Sequence, residues 1–297
     1  MTDEPDGRIV DAHVHVWSAD TDRYPLAPGF DRSDLWLPSC TPEDHARYSR
    51  AVGPVRMNLV QMTWYGLDHS YVVDLIAQDP HTFVGTGIVS AVSDVRLPAP
   101  DKAMVALAAR GIYAFRVRGR QARPPLGDGP RWLDHPGYER MFAAGAEHNL
   151  ALSFLMSVDD IPELDRMCRR FPETPVIIDH VCGISIKDGL FPETEVRALI
   201  TLARHKRVLV KLGPFQALGA GQAPYLDLLP LIRRVVDAFG PERCMWESDS
   251  GGPIPMANPR TDYPAAVALI RDHADFLSPT DKQALLSTTA ERFFFHR

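Results

Sequence analysis

Short, strongly apolar runs alternate along this chain with longer segments in which apolar residues recur at the helical period of about 3.6. The runs at residues 9–17, 55–63, 82–89, 112–117, 150–155, 175–181, 208–212 and 243–247 read as strands. Amphipathic segments at 102–110, 137–147, 161–171, 193–205 and 225–239 read as helices between them. Nearer the start, Thr41 and Pro42 form an N-cap and first helical residue, and Gly53 stands where that helix stops. Asp68 is placed to cap a helix through Tyr71, Val72, Leu75 and Ile76. The order amounts to about eight β/α units, the number of a closed parallel barrel. The expected architecture is a single α/β domain over 1–297: a (β/α)8 TIM barrel with a long loop after the first strand and an extra C-terminal helix at 279–294. A doubly wound open sheet is the competing arrangement, but the first βα turn lacks its glycine fingerprint.

Polar residues interrupt these runs at their C-terminal ends, where barrels of this kind build their sites. His13 and His15 end the first run, Arg116 and Arg118 the fourth, His180 the sixth, Lys211 the seventh, and Asp249 follows the eighth. In a regular strand His13 and His15 share one face, opposite Ala12, Val14 and Val16. Imidazoles bind metals and carry protons near neutral pH, so a same-face pair beside further ionisable groups marks a candidate reaction centre.

Composition excludes several classes. The 38 acidic and 32 basic residues give a net charge of -6 without a long single-sign block, which argues against a nucleic-acid partner. The segment Met1 to Asp6 lacks the basic and apolar regions of a secretory signal, and no run is apolar enough to span a membrane. Cys40, Cys168, Cys182 and Cys244 form no CxxC pair and read as reduced thiols, so a cytoplasmic protein is expected. Nothing in the composition fixes the oligomeric state.

Several of these segments together carry a family resemblance. Asp11-Ala12-His13-Val14-His15-Val16-Trp17 resembles the opening motif of the amidohydrolase-2 branch of the amidohydrolase superfamily, which includes pyrone-dicarboxylate lactonase, sugar lactonases and zinc decarboxylases. The stretch from Leu59 to Asp68 and Gly111-Ile112-Tyr113-Ala114-Phe115-Arg116 are similar to lactonase-like members. Ile178-Asp179-His180-Val181, Val210-Lys211-Leu212, Met245-Trp246-Glu247-Ser248-Asp249 and Thr289-Ala290-Glu291-Arg292-Phe293-Phe294 match as well, so the resemblance spans nearly the whole chain. Two departures stand out. Asp249 is followed by Ser250-Gly251-Gly252-Pro253 instead of Trp-Pro, and the fifth strand carries neither the lysine nor the histidine of metal-dependent relatives.

The resemblance implies hydrolysis of a small carboxylated lactone or related cyclic ester. Asp249 is the candidate general base, expected to be ionised at neutral pH and improved as a base by partial burial. His13, His15 and His180 polarise the carbonyl, either directly or by holding one divalent ion, zinc or manganese, with Asp249; the residues leave both open. Arg116, with Arg118, Arg120 or Arg123, suits a carboxylate clamp and hence a small anionic organic substrate. Lys211 needs a carboxylate partner or the barrel mouth, and Thr63, Trp64 and Tyr65 are candidate pocket residues. Trp36, Tyr24 and Phe30 lie in the long first loop, placed as a lid. His45, His69, His135, His148, His205, His273 and His296 read as structural or solvated. A metal-dependent decarboxylase of a small aromatic or unsaturated acid is the alternative function, and a non-catalytic ligand-binding barrel is the third.

Overall fold

The computed structural model describes residues 8–92, 97–119, 131–253 and 262–296. Eight parallel strands lie in sequence order: β1 (Ile9–Val14), β2 (Val55–Val60), β3 (Phe83–Gly87), β4 (Ile112–Arg118), β5 (Ala151–Leu155), β6 (Val176–Ile178), β7 (Val208–Leu212) and β8 (Cys244–Trp246). The helices between them are α1 (Pro42–Ser49), α2 (Ser70–Gln78), α3 (Pro100–Ala108), α4 (Pro136–His148), α5 (Ile161–Arg170), α6 (Glu193–Thr201), the short α7 (Phe215–Leu218) and α8 (Leu229–Phe239). After β8 follow α9 (Tyr263–Ala268), α10 (Pro279–Gln283) and α11 (Thr289–Phe294). The expected C-terminal helix is thus α10 and α11, joined through one π-helical stretch, Ala284–Thr288. Thr41 and Asp44 form the capping box of α1. Asp68 acts one position earlier than expected, its carboxylate accepting the Ser70 amide while His69 occupies the cap position. Among the described residues no helix is long and apolar enough to cross a membrane.

The barrel closes at the C-terminal end of β1. Val14 and Ser250 bridge in parallel, the Asp249 amide donates to the His13 carbonyl at 3.0 Å, and the His15 amide donates to the Ser250 carbonyl at 2.8 Å. Inside, Val10, Ala12, Val84, Ala114, Ala151, Ile177 and Met245 form an apolar plug, backed by Ala290 and Phe294 of α11. Side chains repeat every two residues along a strand, so the next inward layer is fixed by the plug. Two positions beyond Ala114, Ala151, Ile177, Leu209 and Met245 stand Arg116, Ser153, Asp179, Lys211 and Glu247, all buried. β1 departs from the strict alternation expected of it. Its register against β2 shifts between Asp11 and Val14, which leaves Ala12 in the plug, Val14 in the outer core, and both His13 and His15 facing the site.

Candidate active site

Above the charged layer lies a cleft of about 520 Å3 at the C-terminal face, whose lining includes His15, Gln61, Thr63, Arg116, Arg118, His180 and Asp249. His13 sits beneath it, fully buried, and brings the floor together. Its Nε2 lies 3.2 Å from His15 Nε2 and 3.7 Å from Asp249 Oδ1, while His15 Nε2 is 3.4 Å from the same oxygen. The His15 Nδ1–H donates to the Val60 carbonyl at 2.8 Å, an acceptor-only partner that fixes the tautomer and leaves Nε2 toward Asp249.

His180 is presented by a turn of unusual backbone. His180, Val181 and Cys182 have φ of 54°, 44° and 60° in succession, and Asp249 has φ of 53°. The left-handed region costs a non-glycine residue roughly 1–2 kcal/mol, and a β-branched residue such as Val181 is a true outlier there. The turn is held by Glu247, whose Oε1 accepts both the His180 amide at 3.1 Å and the His180 Nδ1–H at 2.6 Å. Buried packing of Val181 and Cys182 secures the other side.

After Asp249 the chain folds back on itself through Gly251 and Gly252. A Cβ at Gly252 would stand 2.3 Å from Asp249 Oδ2, and one at Gly251 2.4 Å from the His15 carbonyl oxygen. The glycines in place of a bulkier pair therefore let backbone approach both site residues. His45 of α1 clamps the same junction. Its Nε2–H donates to the His15 carbonyl at 2.9 Å and its Nδ1 accepts from the Ser250 hydroxyl at 2.6 Å.

The electrostatics follow from this burial. Burial alone pushes Asp249 up, yet the neighbouring His180, His15 and His13 hold its carboxyl well below the usual carboxylate range. The expectation that burial would raise it is corrected by those three imidazoles. His180 moves upward despite burial, because Glu247 and Asp249 favour its imidazolium. His13 is pushed down to about 4 by burial, aided by the Lys211 and Arg116 charges. Glu247 falls to about 2 against burial, chiefly through His180.

The other sequence candidates divide. Thr63 and Arg118 line the cleft, and Arg116 lines it from below. Arg116 is no free clamp: its NH2 donates to Asp179 Oδ2 at 3.1 Å and approaches His13 Nε2 at 3.2 Å. Lys211 stands away from the barrel mouth, fully buried, with Nζ 2.9 Å from Asp179 Oδ1 and 3.1 Å from His13 Nδ1. Trp64 and Tyr65 are buried behind the cleft; the Tyr65 hydroxyl accepts the Ser18 amide and Trp64 packs on Trp17. Arg120 and Arg123 lie outside the described residues. Asp179 and Glu247 were not singled out in the sequence, although the period of two that places Arg116 and Lys211 places them as well.

The donor set also meets the test for a single divalent ion. His13, His180 and Asp249 each offer a ligand atom, all within 4.8 Å of one another, and Asp249 Oδ1 is buried without a hydrogen-bond partner. His15, expected with them, stands outside that set; its Nε2 lies 3.4 Å from Asp249 Oδ1.

Known proteins resemble this chain in sequence and in fold. L-fucono-1,5-lactonase of Burkholderia ambifaria is 29% identical over 301 residues, 96% of this chain and 94% of that one. 2-Pyrone-4,6-dicarboxylate hydrolase of Comamonas testosteroni is 28% identical over 258 residues, 81% of this chain and 75% of that one. The crystal structure of an amidohydrolase from Burkholderia multivorans with bound HEPES shares the fold, with a TM-score of 0.75 at 21% identity over 96% of this chain and 98% of that chain. The amidohydrolase family model matches residues 10–295, from the first strand to the last helix, and the chain belongs to that family.

Proposed function

We propose that the protein hydrolyses the ester bond of a small carboxylated lactone. The observation that carries this reading is Asp249 at the cleft floor, with Oδ1 buried, lacking a hydrogen-bond partner and set among three imidazoles. A water at that oxygen is the nucleophile, and Asp249, kept ionised by its neighbours, takes its proton as water attacks the lactone carbonyl. His180, favoured as imidazolium by Glu247 and Asp249, donates from Nε2 to the oxygen on which negative charge develops. The proton on Asp249 then passes to the ring oxygen as the C–O bond breaks. Arg118, at the rim, pairs with the substrate carboxylate. In place of the Nε2 donation, an ion held by His13, His180 and Asp249 would supply Lewis-acid polarisation of the carbonyl and a more acidic water. The names of the two relatives, a sugar lactonase and a pyrone-dicarboxylate hydrolase, support the reaction class.

The test is a panel of carboxylated lactones assayed by acid release, with carbon dioxide release from small aromatic acids measured in parallel. Acid release that falls by about 10²–10⁴-fold in Asp249→Asn supports the proposal. Turnover near wild type in that variant, or carbon dioxide release without lactone hydrolysis, overturns it.

A further inference from the structure

Asp11 opens the first motif and has no part in the chemistry described above. It is fully buried, out of reach of a substrate, yet its carboxylate accepts from three separate segments. Oδ1 accepts the His13 amide at 3.2 Å and the Ser248 amide at 3.0 Å, and Oδ2 accepts the Tyr263 hydroxyl of α9 at 2.9 Å. The first bond lies at the register shift of β1, where Asp11 pairs with Met57 but Val14 with Leu59, so β1 carries one extra residue. Side chains hold this bulge: Asp11 takes the His13 amide, and Asn58 Nδ2 donates to the Ala12 carbonyl at 2.9 Å. The second bond fixes the residue just before Asp249. At its φ of 53° Asp249 is strained, a state kept only where the surroundings over-determine the backbone. The Ser248 hydroxyl also accepts the Ser250 amide at 2.9 Å, so the chain is tied on both sides of Asp249.

One oxygen of Asp11 thus spans the two backbone segments that carry His13 and Asp249, whose Nε2 and Oδ1 stand 3.7 Å apart. Resting on the lactonase reading for the reaction it serves, we infer that Asp11 is a positioning residue that sets the separation of the Asp249 base from the His13–His15 pair, with Tyr263 aiming its carboxylate. Asp11 acts through backbone amides, so an acceptor at Oδ1 is required and a negative charge is not. A purely structural aspartate would lower stability without a selective loss of kcat.

The test compares Asp11→Asn, Asp11→Ala, Tyr263→Phe and Leu164→Ala, a fully buried core substitution on α5, by kcat, KM and thermal midpoint. Rates are read as acid release from a carboxylated lactone or carbon dioxide release from a small aromatic acid, whichever wild type performs. Asp11→Asn keeps the acceptor and is expected to retain kcat within about threefold. Asp11→Ala is expected to lower kcat about 100-fold with KM changed less than about threefold. Tyr263→Phe, which loses one bond, is expected to lower kcat about fivefold. Leu164→Ala is expected to lower the thermal midpoint and leave kcat unchanged. Wild-type kcat in Asp11→Ala, an equal loss in Asp11→Asn, or an equal loss in Leu164→Ala overturns the inference. Where Asp11→Ala does not fold, wild-type kcat in Tyr263→Phe overturns it. Carbon dioxide release without lactone hydrolysis overturns the lactonase reading alone, and the same variants then decide the role of Asp11. Turnover of neither class by wild type overturns both.

Discussion

The Nδ1 of His180 and Oε1 of Glu247 lie 2.6 Å apart, and the same oxygen accepts the His180 amide, so one buried carboxylate fixes both the ring and the backbone that carries it. Glu247 therefore sets the tautomer of His180 and favours its charge. Glu247→Gln keeps an acceptor in place but removes the charge, and activity is expected to fall about 10- to 100-fold. The loss of activity with rising pH should also move to lower pH, since His180 loses the anion that raises it. A pH profile unchanged in shape would show that Glu247 acts by packing alone.

The fold-back after Asp249 needs glycine. In Gly252→Ala the new methyl meets Asp249 Oδ2 and must displace it. Displacement of a reacting group by about 1 Å costs on the order of 100-fold, so kcat should fall by that amount; the same methyl would stand 2.6 Å from the Asp249 carbonyl oxygen, so the thermal midpoint should fall as well. Wild-type kcat would mean that the carboxylate has room the structure does not give it.

Lys211 and Arg116 balance Asp179 inside the barrel. Lys211→Met leaves part of that buried charge uncompensated, a change worth about 3–5 kcal/mol of folding stability by denaturant titration. Unchanged stability together with a raised KM would return Lys211 to the substrate.

His45 makes stability depend on pH. Burial holds it down to about 4, so between its ordinary 6.5 and that value the unfolded chain binds a proton that the folded chain does not. Its contribution is present above 6.5 and is lost as pH falls, by about 1.4 kcal/mol per pH unit. The stability difference between wild type and His45→Gln should shrink with that slope from pH 6.5 towards 4. A pH-independent difference would place His45 in water.

Chelation tests the division of labour at the floor. With Asp249 activating water and His180 polarising the carbonyl, protein treated with dipicolinate and freed of metal should retain its hydrolytic rate within about twofold, where a lost Lewis acid would cost several kcal/mol. Activity lost on chelation and restored by zinc would assign both tasks to the ion.

Most of the barrel and its ring of polar strand ends were legible in the chain because both depend on local pattern. Apolar runs, caps and turns give the units, and ionisable residues ending those runs gave His13, His15, His180 and Asp249. What escaped depends on two partners meeting across the sheet. The irregular register of β1 against β2 moves Ala12 inward, which strict alternation cannot foresee. The ion pair of Lys211 with Asp179 crosses from β7 to the end of its neighbour β6, and that of His180 with Glu247 reaches from the end of β6 past β7 to the end of β8, so both need the sheet assembled. His45 looked structural, and it is, but its bond to the His15 carbonyl ties it to the floor.

The bonds from Asp249 to His13 and from His15 to Ser250 join the first strand to the segment after the last. Every intermediate with that seam open lacks the arrangement of imidazoles and carboxylate, so the nascent chain carries no competent centre until residues near 250 have left the ribosome. Enzymatic turnover thus reports ring closure in a refolding experiment, and recovery of activity should trail recovery of helical signal whenever docking of β8 on β1 comes last.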